Sequence, residues 1–232
     1  MGRRVCRYNK MINFLKTFIN KKPLVEEVHS NDSTLPVVWI HGANQSSLSF
    51  EYLRSKTKFD NEILINYSST DGFYNNLSNI VNEIKKHGPV FIIGHSLGGI
   101  YALHLLDKVD VAGVVSISTP YRGSSAADWA KFIVPSYQLF KDVGRRSKPI
   151  MSAHNIEITI PYTQVVSTTG SVPYLSGPND GVVTVASMKH RDEMEHIEVE
   201  NTHYEVMCSD TVAEIITSRY LQHSYQETNV NC

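Results

Sequence analysis

The chain has 232 residues, enough for one large hydrophobic core, and no proline-rich or low-complexity linker divides it. Its 22 Lys and Arg nearly balance its 23 Asp and Glu, for a formal net charge of -1. The sequence therefore predicts a single domain and argues against a nucleic acid as its partner.

Residues 1–35 precede the first clear strand pattern and are predicted to form an N-terminal extension. Apolar residues at helical spacing within 11–22, with lysines elsewhere, indicate a short amphipathic helix. Two uses for it stay open: packing against the domain, which we favour, and peripheral contact with a membrane. The basic start lacks a small-residue cleavage site after its apolar run. We therefore expect no signal peptide, no membrane span and a cytoplasmic location.

The three cysteines, Cys6, Cys208 and Cys232, are scattered along the chain. Their number is odd, and none of their spacings matches the C-x-x-C pattern of a metal site or a redox pair. We interpret them as free thiols in a reducing compartment, which agrees with the expected cytoplasmic location.

Strand-like apolar runs alternate with helical stretches from residue 36 to residue 224. This alternation predicts one α/β domain, a mostly parallel sheet with helices on both faces, followed by a tail at 225–232. In such sheets, functional sites form at the carboxyl ends of the strands. The predicted strands are 37–40, 63–67, 90–93, 111–117, 163–167 and 196–199, and the predicted helices are 74–86, 100–106 and 211–221.

The turn between the third predicted strand and the helix after it reads GHSLG at 94–98. Glycines two positions either side of a serine let a strand and a helix approach closely, while the serine takes a strained conformation with its hydroxyl in the open. This G-x-S-x-G pattern predicts Ser96 as a nucleophile. The alternative is a glycine-rich turn in which the serine is incidental.

The first predicted strand runs into HGANQ at 41–45. A glycine there lets the backbone bend so that amide groups point toward the serine turn. We expect the amides of Ala43 and of Leu97, the residue after Ser96, to form an oxyanion hole. The alternative is an ordinary turn at the end of a strand.

A serine nucleophile needs an imidazole to take its proton and a carboxylate to fix the imidazole tautomer. His203 lies in the loop after the last predicted strand, whereas His196 begins that strand, so His203 is the predicted base and His196 the alternative. Asp180, within GPNDG at 177–181, is the predicted acid because the order is then nucleophile, acid, base. By itself, Asp-Gly between apolar runs is also a common hairpin turn.

The segment HRDEMEH at 190–196 concentrates two histidines and three carboxylates. It lacks a compact ligand spacing such as H-E-x-x-H, so we interpret it as a solvated charged face. We expect no catalytic metal and no cofactor.

These motifs resemble those of the α/β-hydrolase superfamily, and more narrowly those of bacterial lipases and related lipid-deacylating esterases. The resemblance implies the α/β-hydrolase fold, with Ser96 as nucleophile, Asp180 as acid, His203 as base and the amides of Ala43 and Leu97 as oxyanion hole. The sequence departs from secreted lipases in lacking a signal peptide and the calcium-binding aspartates of the histidine loop. The matching stretches are HGANQSS at 41–47, GHSLGG at 94–99, STPYRGS at 118–124, NDGVV at 179–183 and THYEV at 202–206.

About forty residues separate STPYRGS from the strand at 163–167, which is too many for a plain connection. We expect a small helical cap at about 124–160 that folds over Ser96, with Trp129, Phe132 and Ile133 lining an acyl pocket. The alternative is ordinary core helices packed on the sheet.

The function expected from these residues is that of a serine hydrolase. It cleaves carboxylic esters, of lipids or of other acyl compounds, through an acyl-enzyme. Acyl-thioester hydrolysis or acyl transfer on the same three residues stays open, and so does a catalytically silent binding module.

Overall fold

A computed structural model describes residues 25–28, 34–123, 144–172 and 175–228 of the chain. Seven strands form one sheet in the order β1-β3-β2-β4-β5-β6-β7. Strands β2 to β7 run parallel to one another, and β1 pairs antiparallel with β3 at one edge. The strands are β1 (Val25–Val28), β2 (Val37–Ile40), β3 (Glu62–Ile65), β4 (Val90–His95), β5 (Val111–Ile117), β6 (Tyr162–Ser167) and β7 (Glu195–Val199).

Six α-helices and two short 3₁₀ helices lie within the described residues. Each predicted strand and helix has a counterpart whose ends differ from the prediction by a few residues, except that the last helix extends further. The α-helices are α1 (Glu51–Thr57), α2 (Phe73–Ile84), α3 (Leu97–Leu105), α4 (Lys148–Ala153), α5 (Val185–Met188) and α6 (Asp210–Thr228), and the 3₁₀ helices are Ser47–Phe50 and Glu205–Cys208.

The core lies on both faces of the sheet. Along β2, Val38 and Ile40 pack with α2 and α3, while Val37 and Trp39 pack on the other face with α1 and α6. All four are fully buried, so the strand is apolar at every position, as expected for a parallel strand covered on both faces. The predicted mostly parallel sheet with helices on both faces is confirmed.

The edge strand β1 (Val25–Val28) was missed by the sequence analysis, which placed residues 25–28 in the N-terminal extension. Its sequence, VEEV, has two adjacent glutamates, so it shows neither the apolar run of a central strand nor strict alternation. Short, charged strands are typical of exposed sheet edges because charge discourages pairing with another chain.

The described part of the predicted cap packs on the domain. In α4, Ile150 and Ala153 are buried in the same cluster as α2 and α3, and Pro149 O accepts a hydrogen bond of 2.9 Å from His104 Nε2. The cap over Ser96 stays a prediction, because residues 124–143 of the segment lie outside the described residues. The expected pocket residues Trp129, Phe132 and Ile133 lie outside the described residues, as do residues 11–22 of the expected amphipathic helix.

Cys208 is disulfide-bonded, so the prediction of free thiols is wrong for this residue. A disulfide depends on the distance between two cysteines in the fold, which their separation in the sequence does not report. Among the helices that the structure describes, none is both long enough and apolar enough to cross a bilayer.

Candidate active site

Ser96 joins β4 to α3 through a strained turn. Its backbone φ is 53° and its ψ is -117°, a region that a residue with a side chain rarely adopts. The residues on either side, His95 and Leu97, are buried, whereas Ser96 is partly exposed. The turn therefore lifts one hydroxyl out of an otherwise closed strand-to-helix junction.

Two glycines of the same turn allow this close packing. A Cβ atom on Gly98 would lie 1.9 Å from the carbonyl oxygen of Ile40 in β2. A Cβ atom on Gly94 would lie 2.7 Å from the backbone of Gly98. Both contacts are with backbone atoms, which cannot move aside as a flexible side chain would, so α3 starts this close to the sheet only with glycine at these positions.

Asp180 and His203 form a buried pair at the carboxyl edge of the sheet. His203 Nδ1 donates a hydrogen bond of 2.7 Å to Asp180 Oδ2, and the His203 backbone N–H donates to Asp180 O at 2.9 Å. The two residues are only 3% and 1% exposed. Two loops that are distant in sequence are thus joined both through side chains and through the backbone.

The Asp180 carboxylate is fully hydrogen-bonded. Its Oδ1 accepts from the backbone N–H groups of Val182 and Val183, at 2.9 and 2.7 Å, and its Oδ2 accepts from Ser167 Oγ, at 2.6 Å, and from His203. Burial alone would raise the pKa of Asp180. The hydrogen bond and charge of His203 outweigh this effect, together with hydrogen bonds from Ser167 Oγ and the Val183 amide, and the pKa is lowered. Asp180 is therefore ionised at neutral pH.

His95 connects the serine turn to the His203 loop. Its Nε2 donates a hydrogen bond of 3.0 Å to the carbonyl oxygen of His203, and the two rings lie 5.0 Å apart. Burial, and then the neighbouring His203, lower the pKa of His95 to about 3, so its ring is neutral at physiological pH. Because His95 immediately precedes Ser96, this contact sets His203 against the end of β4.

The loop after β2 is held by the side chain of His41. His41 Nδ1 donates to Gly42 O at 2.7 Å, while Nε2 accepts from the backbone N–H of Tyr67, whose ring stacks on the imidazole at 4.2 Å. Burial lowers the pKa of His41 to about 4, so this ring is neutral too. Accepting at Nε2 requires that neutral form.

The same loop packs against Ser96. A Cβ atom on Gly42 would lie 3.2 Å from Ser96 Cβ, and Asn44, at a φ of 53°, is tied to Ser69 Oγ by its backbone N–H at 2.9 Å. Ala43 lies between these two fixed residues and is partly exposed. The amide of Leu97 opens helix α3, where the first N–H groups have no partner within the helix. Both predicted oxyanion amides thus belong to segments that flank Ser96.

His196, the alternative base, is not part of this arrangement. It lies at the amino end of β7, in register with Gln164, whereas His203 follows the carboxyl end of that strand. In the surrounding segment, Glu193 and Glu195 pair with Arg191 and Arg219. Across the part of the chain that the structure describes, no three His, Cys, Asp or Glu side chains are grouped to hold a metal ion.

Sequence reasoning did not single out His95, Gln45, Ser118 or Ser167 as site residues. Gln45 Oε1 accepts from the Gly42 N–H at 3.3 Å, and the Gln45 side chain lies beside the His95 ring, with Oε1 3.2 Å from Nδ1. His95, Gln45 and Ser118 each stand inside a quoted motif, GHSLG, HGANQ and STPYRGS, which was the available signal for these three. Ser167 lies in no such motif, and its part in the site depends on contacts with segments far from it in sequence.

Comparison with known proteins places the chain in a family. A family model described as "Alpha/beta hydrolase family" matches residues 37–167, more than half of the chain, and the chain belongs to this family. Comparison with curated proteins finds no match.

Solved structures share the fold at low sequence identity. The mature lipase BlEst2 of Bacillus licheniformis aligns with a TM-score of 0.69 and 15% identity, over 86% of this chain and 99% of that one. The Paleococcus ferrophilus monoacylglycerol lipase aligns at 0.63 and 15%, over 88% and 100%. A thioesterase domain from the curacin biosynthetic pathway aligns at 0.54 and 13%, over 85% and 94%. At such identities the likeness establishes a common fold.

Proposed function

We propose that this protein is a serine hydrolase that cleaves carboxylic esters through an acyl-enzyme. The observation that carries the proposal is the buried Asp180–His203 pair, held through His95 against the strained turn that exposes Ser96. A buried carboxylate–imidazole pair beside a serine at positive φ is the arrangement that nucleophilic catalysis by a hydroxyl requires.

In the first half-reaction, His203 Nε2 takes the proton of Ser96 Oγ as that oxygen attacks the ester carbonyl. His203 Nδ1–H stays bonded to Asp180, which holds the tautomer and stabilises the imidazolium that forms. The imidazolium then gives its proton to the leaving alkoxide, and the acyl group remains on Ser96. Water repeats the sequence: it loses a proton to His203 as it attacks the acyl-enzyme, and the imidazolium returns that proton to Ser96 Oγ as the carboxylic acid leaves.

The negative oxygen of each tetrahedral intermediate is assigned to the amides of Ala43 and Leu97. The loop that carries Ala43 is held by hydrogen bonds from His41 to Gly42 O and from the Asn44 N–H to Ser69. This supports the role, because an oxyanion hole works only if its donors are positioned before the charge develops. Loss of one such donor typically costs about 10²- to 10³-fold in rate.

The proposed substrate is a small acyl ester, with lipid esters favoured because two of the structural relatives are lipases. The thioesterase relative gives acyl thioesters as the second substrate class to compare. No cofactor enters this chemistry. The cytoplasmic location and the peripheral membrane contact through residues 11–22 stay proposals.

The test combines labelling with a substrate panel. A fluorophosphonate probe should label the wild-type protein and fail to label Ser96→Ala, and Ser96→Ala should lose on the order of 10⁴- to 10⁶-fold in ester hydrolysis. The matched control is Ser116→Ala, which removes a buried hydroxyl of the neighbouring strand β5 and should keep both properties. Activity of Ser96→Ala within tenfold of wild type would contradict the assignment.

The panel uses oxygen esters and thioesters of graded acyl length, with and without an added alcohol as acceptor. Faster turnover of oxygen esters, with the free acid as product, supports the proposed reaction. Preference for thioesters, or ester formation with the alcohol, would move the assignment to the alternative on the same residues.

A further inference from the structure

A row of buried hydroxyl groups leads to the Asp180 carboxylate. Ser118 Oγ lies 2.6 Å from Ser167 Oγ, and Ser167 Oγ lies 2.6 Å from Asp180 Oδ2. Ser118 follows β5 and Ser167 ends β6, and both side chains are fully buried. The chain of contacts therefore runs across two strand ends to the oxygen that also accepts from His203.

The direction of these hydrogen bonds follows from the charge on Asp180. An ionised carboxylate can only accept, so Ser167 donates its single proton to Oδ2. Ser167 Oγ also lies 3.7 Å from Met188 Sδ, but a thioether is a weak acceptor and does not compete with a carboxylate. With its proton used, Ser167 Oγ accepts from Ser118, whose hydroxyl is the outer end of the row.

The backbone of Ser118 is strained at this contact. Its φ is 52°, in the left-handed region that residues with side chains rarely occupy, and its N–H donates to Val165 O at 2.9 Å. Such strain persists where the surrounding structure requires it, and it collects at functional sites. Ser118 and Ser96 share this feature at the ends of adjacent strands, β5 and β4.

The carboxylate has no remaining freedom when all four donors are present. The Val182 and Val183 amides orient Oδ1, and Ser167 and His203 orient Oδ2. Removing Ser167 leaves His203, among the described residues, as the only side chain that directs Oδ2. The Val182 and Val183 amides would still hold Oδ1, but the position of Oδ2 would follow the imidazole that it should orient.

We propose that Ser167, supported by Ser118, is a positioning residue that aims Asp180 Oδ2 at His203 and so keeps His203 oriented for catalysis. This inference rests on the proposed hydrolase function for its kinetic consequence. Its structural content, the coupling of two serines to the Asp180–His203 hydrogen bond, is independent of that function.

The kinetic test compares Ser167→Ala and Ser118→Ala with Ser116→Ala, a buried serine of β5 that bonds Gln164 instead. Ser167→Ala should lower kcat by about tenfold, as expected for a hydrogen bond to a charged group, and should leave KM within about twofold. Ser118→Ala, one bond further out, should lower kcat by about threefold, and Ser116→Ala should leave it unchanged.

Coupling to Asp180 separates positioning from a general loss of stability. Asp180→Asn already misdirects His203. In that background, adding Ser167→Ala should lower kcat by less than about twofold relative to Asp180→Asn alone. An undiminished tenfold loss in that background, or equal losses in all three serine variants, would overturn the proposal. Melting temperatures of every variant identify any that fail to fold.

An NMR measurement tests the same coupling without any substrate. The proton between His203 Nδ1 and Asp180 Oδ2 should give a far-downfield resonance, assigned by its disappearance in His203→Ala. Ser167→Ala should shift it more than Ser118→Ala, and Ser116→Ala should leave it in place. If no ester or thioester is cleaved, this shift still supports the inference while the hydrolase proposal fails. If the resonance is unmoved in Ser167→Ala, the inference fails even when hydrolysis is found.

Discussion

Two neighbouring parts of the chain carry carboxylates and histidines, and these side chains differ in their solvent exposure. The buried pair, Asp180 and His203, is 1% and 3% exposed and joined at 2.7 Å. The charged segment, residues 190–196, pairs Glu193 and Glu195 with arginines, and both glutamate side chains are about half exposed.

Burial decides what each arrangement contributes. A carboxylate removed from water must be paired and hydrogen-bonded, so losing one partner of Asp180 leaves a charge that nothing else solvates. Water replaces a lost partner of an exposed glutamate at little cost. A dense group of ionisable residues is therefore a weaker sign of a site than a few of them buried at the carboxyl ends of parallel strands.

The largest expected difference between these regions is catalytic. His203→Ala should lower kcat/KM for the best ester on the order of 10⁴- to 10⁶-fold, because base and nucleophile act as one unit and either loss stops proton transfer. His196→Ala, in the charged segment, should stay within about threefold. Steady-state rates and fluorophosphonate labelling of both variants check this, and a reversed order would move the base to β7.

The strands of the sheet were predictable from the sequence where burial on both faces makes nearly every position apolar. Strands β2 and β4 are apolar at nearly every position, because both faces are covered, and the glycines around Ser96 signal the tight turn between β4 and α3. Strand β1 (Val25–Val28) left no such pattern, because two adjacent glutamates interrupt its apolar residues.

Candidate site residues were predictable where a local motif or their order along the chain indicates them. Ser96 stands in GHSLG, and chain order favoured Asp180 and His203, which the fold brings to 2.7 Å. The contact of Ser118 with Ser167 joins residues 49 positions apart, and two serines at that separation form no recognisable motif. The disulfide at Cys208 was missed for the same reason, since proximity in space is set by the fold.

A smaller difference should appear in the dependence of stability on pH. Burial lowers the folded-state pKa of His41 to about 4, against an ordinary value near 6.5 for the unfolded chain. Between pH 6.5 and 4 the unfolded state binds a proton that the folded state does not, so stability falls as the pH falls. From pH 7 to pH 5, this single histidine should reduce the free energy of unfolding by roughly 2 kcal/mol.

The substitution His41→Asn keeps a side-chain donor near Gly42 O but cannot titrate, so the decrease from pH 7 to pH 5 should shrink by that amount. Urea unfolding at both pH values measures it. The matched control is His190→Asn, an exposed histidine of the charged segment, which should change the decrease far less. An equal change in both variants would show that burial does not distinguish the two regions.

The smallest expected effect lies within the charged segment itself. Arg219 Nη2 lies 2.6 Å from Glu195 Oε1, but the two side chains are 22% and 49% exposed. Glu195→Gln should therefore cost only about 0.2–1 kcal/mol in unfolding free energy. That cost should nearly vanish in about 1 M salt, where charges are screened within roughly 3 Å. Asp180→Asn, measured beside it, should cost several-fold more and respond little to salt, because screening ions do not reach a buried pair. A cost above about 2 kcal/mol for Glu195→Gln, unchanged by salt, would mean that the charged segment is held together as firmly as the buried pair, and the distinction drawn from burial would fail.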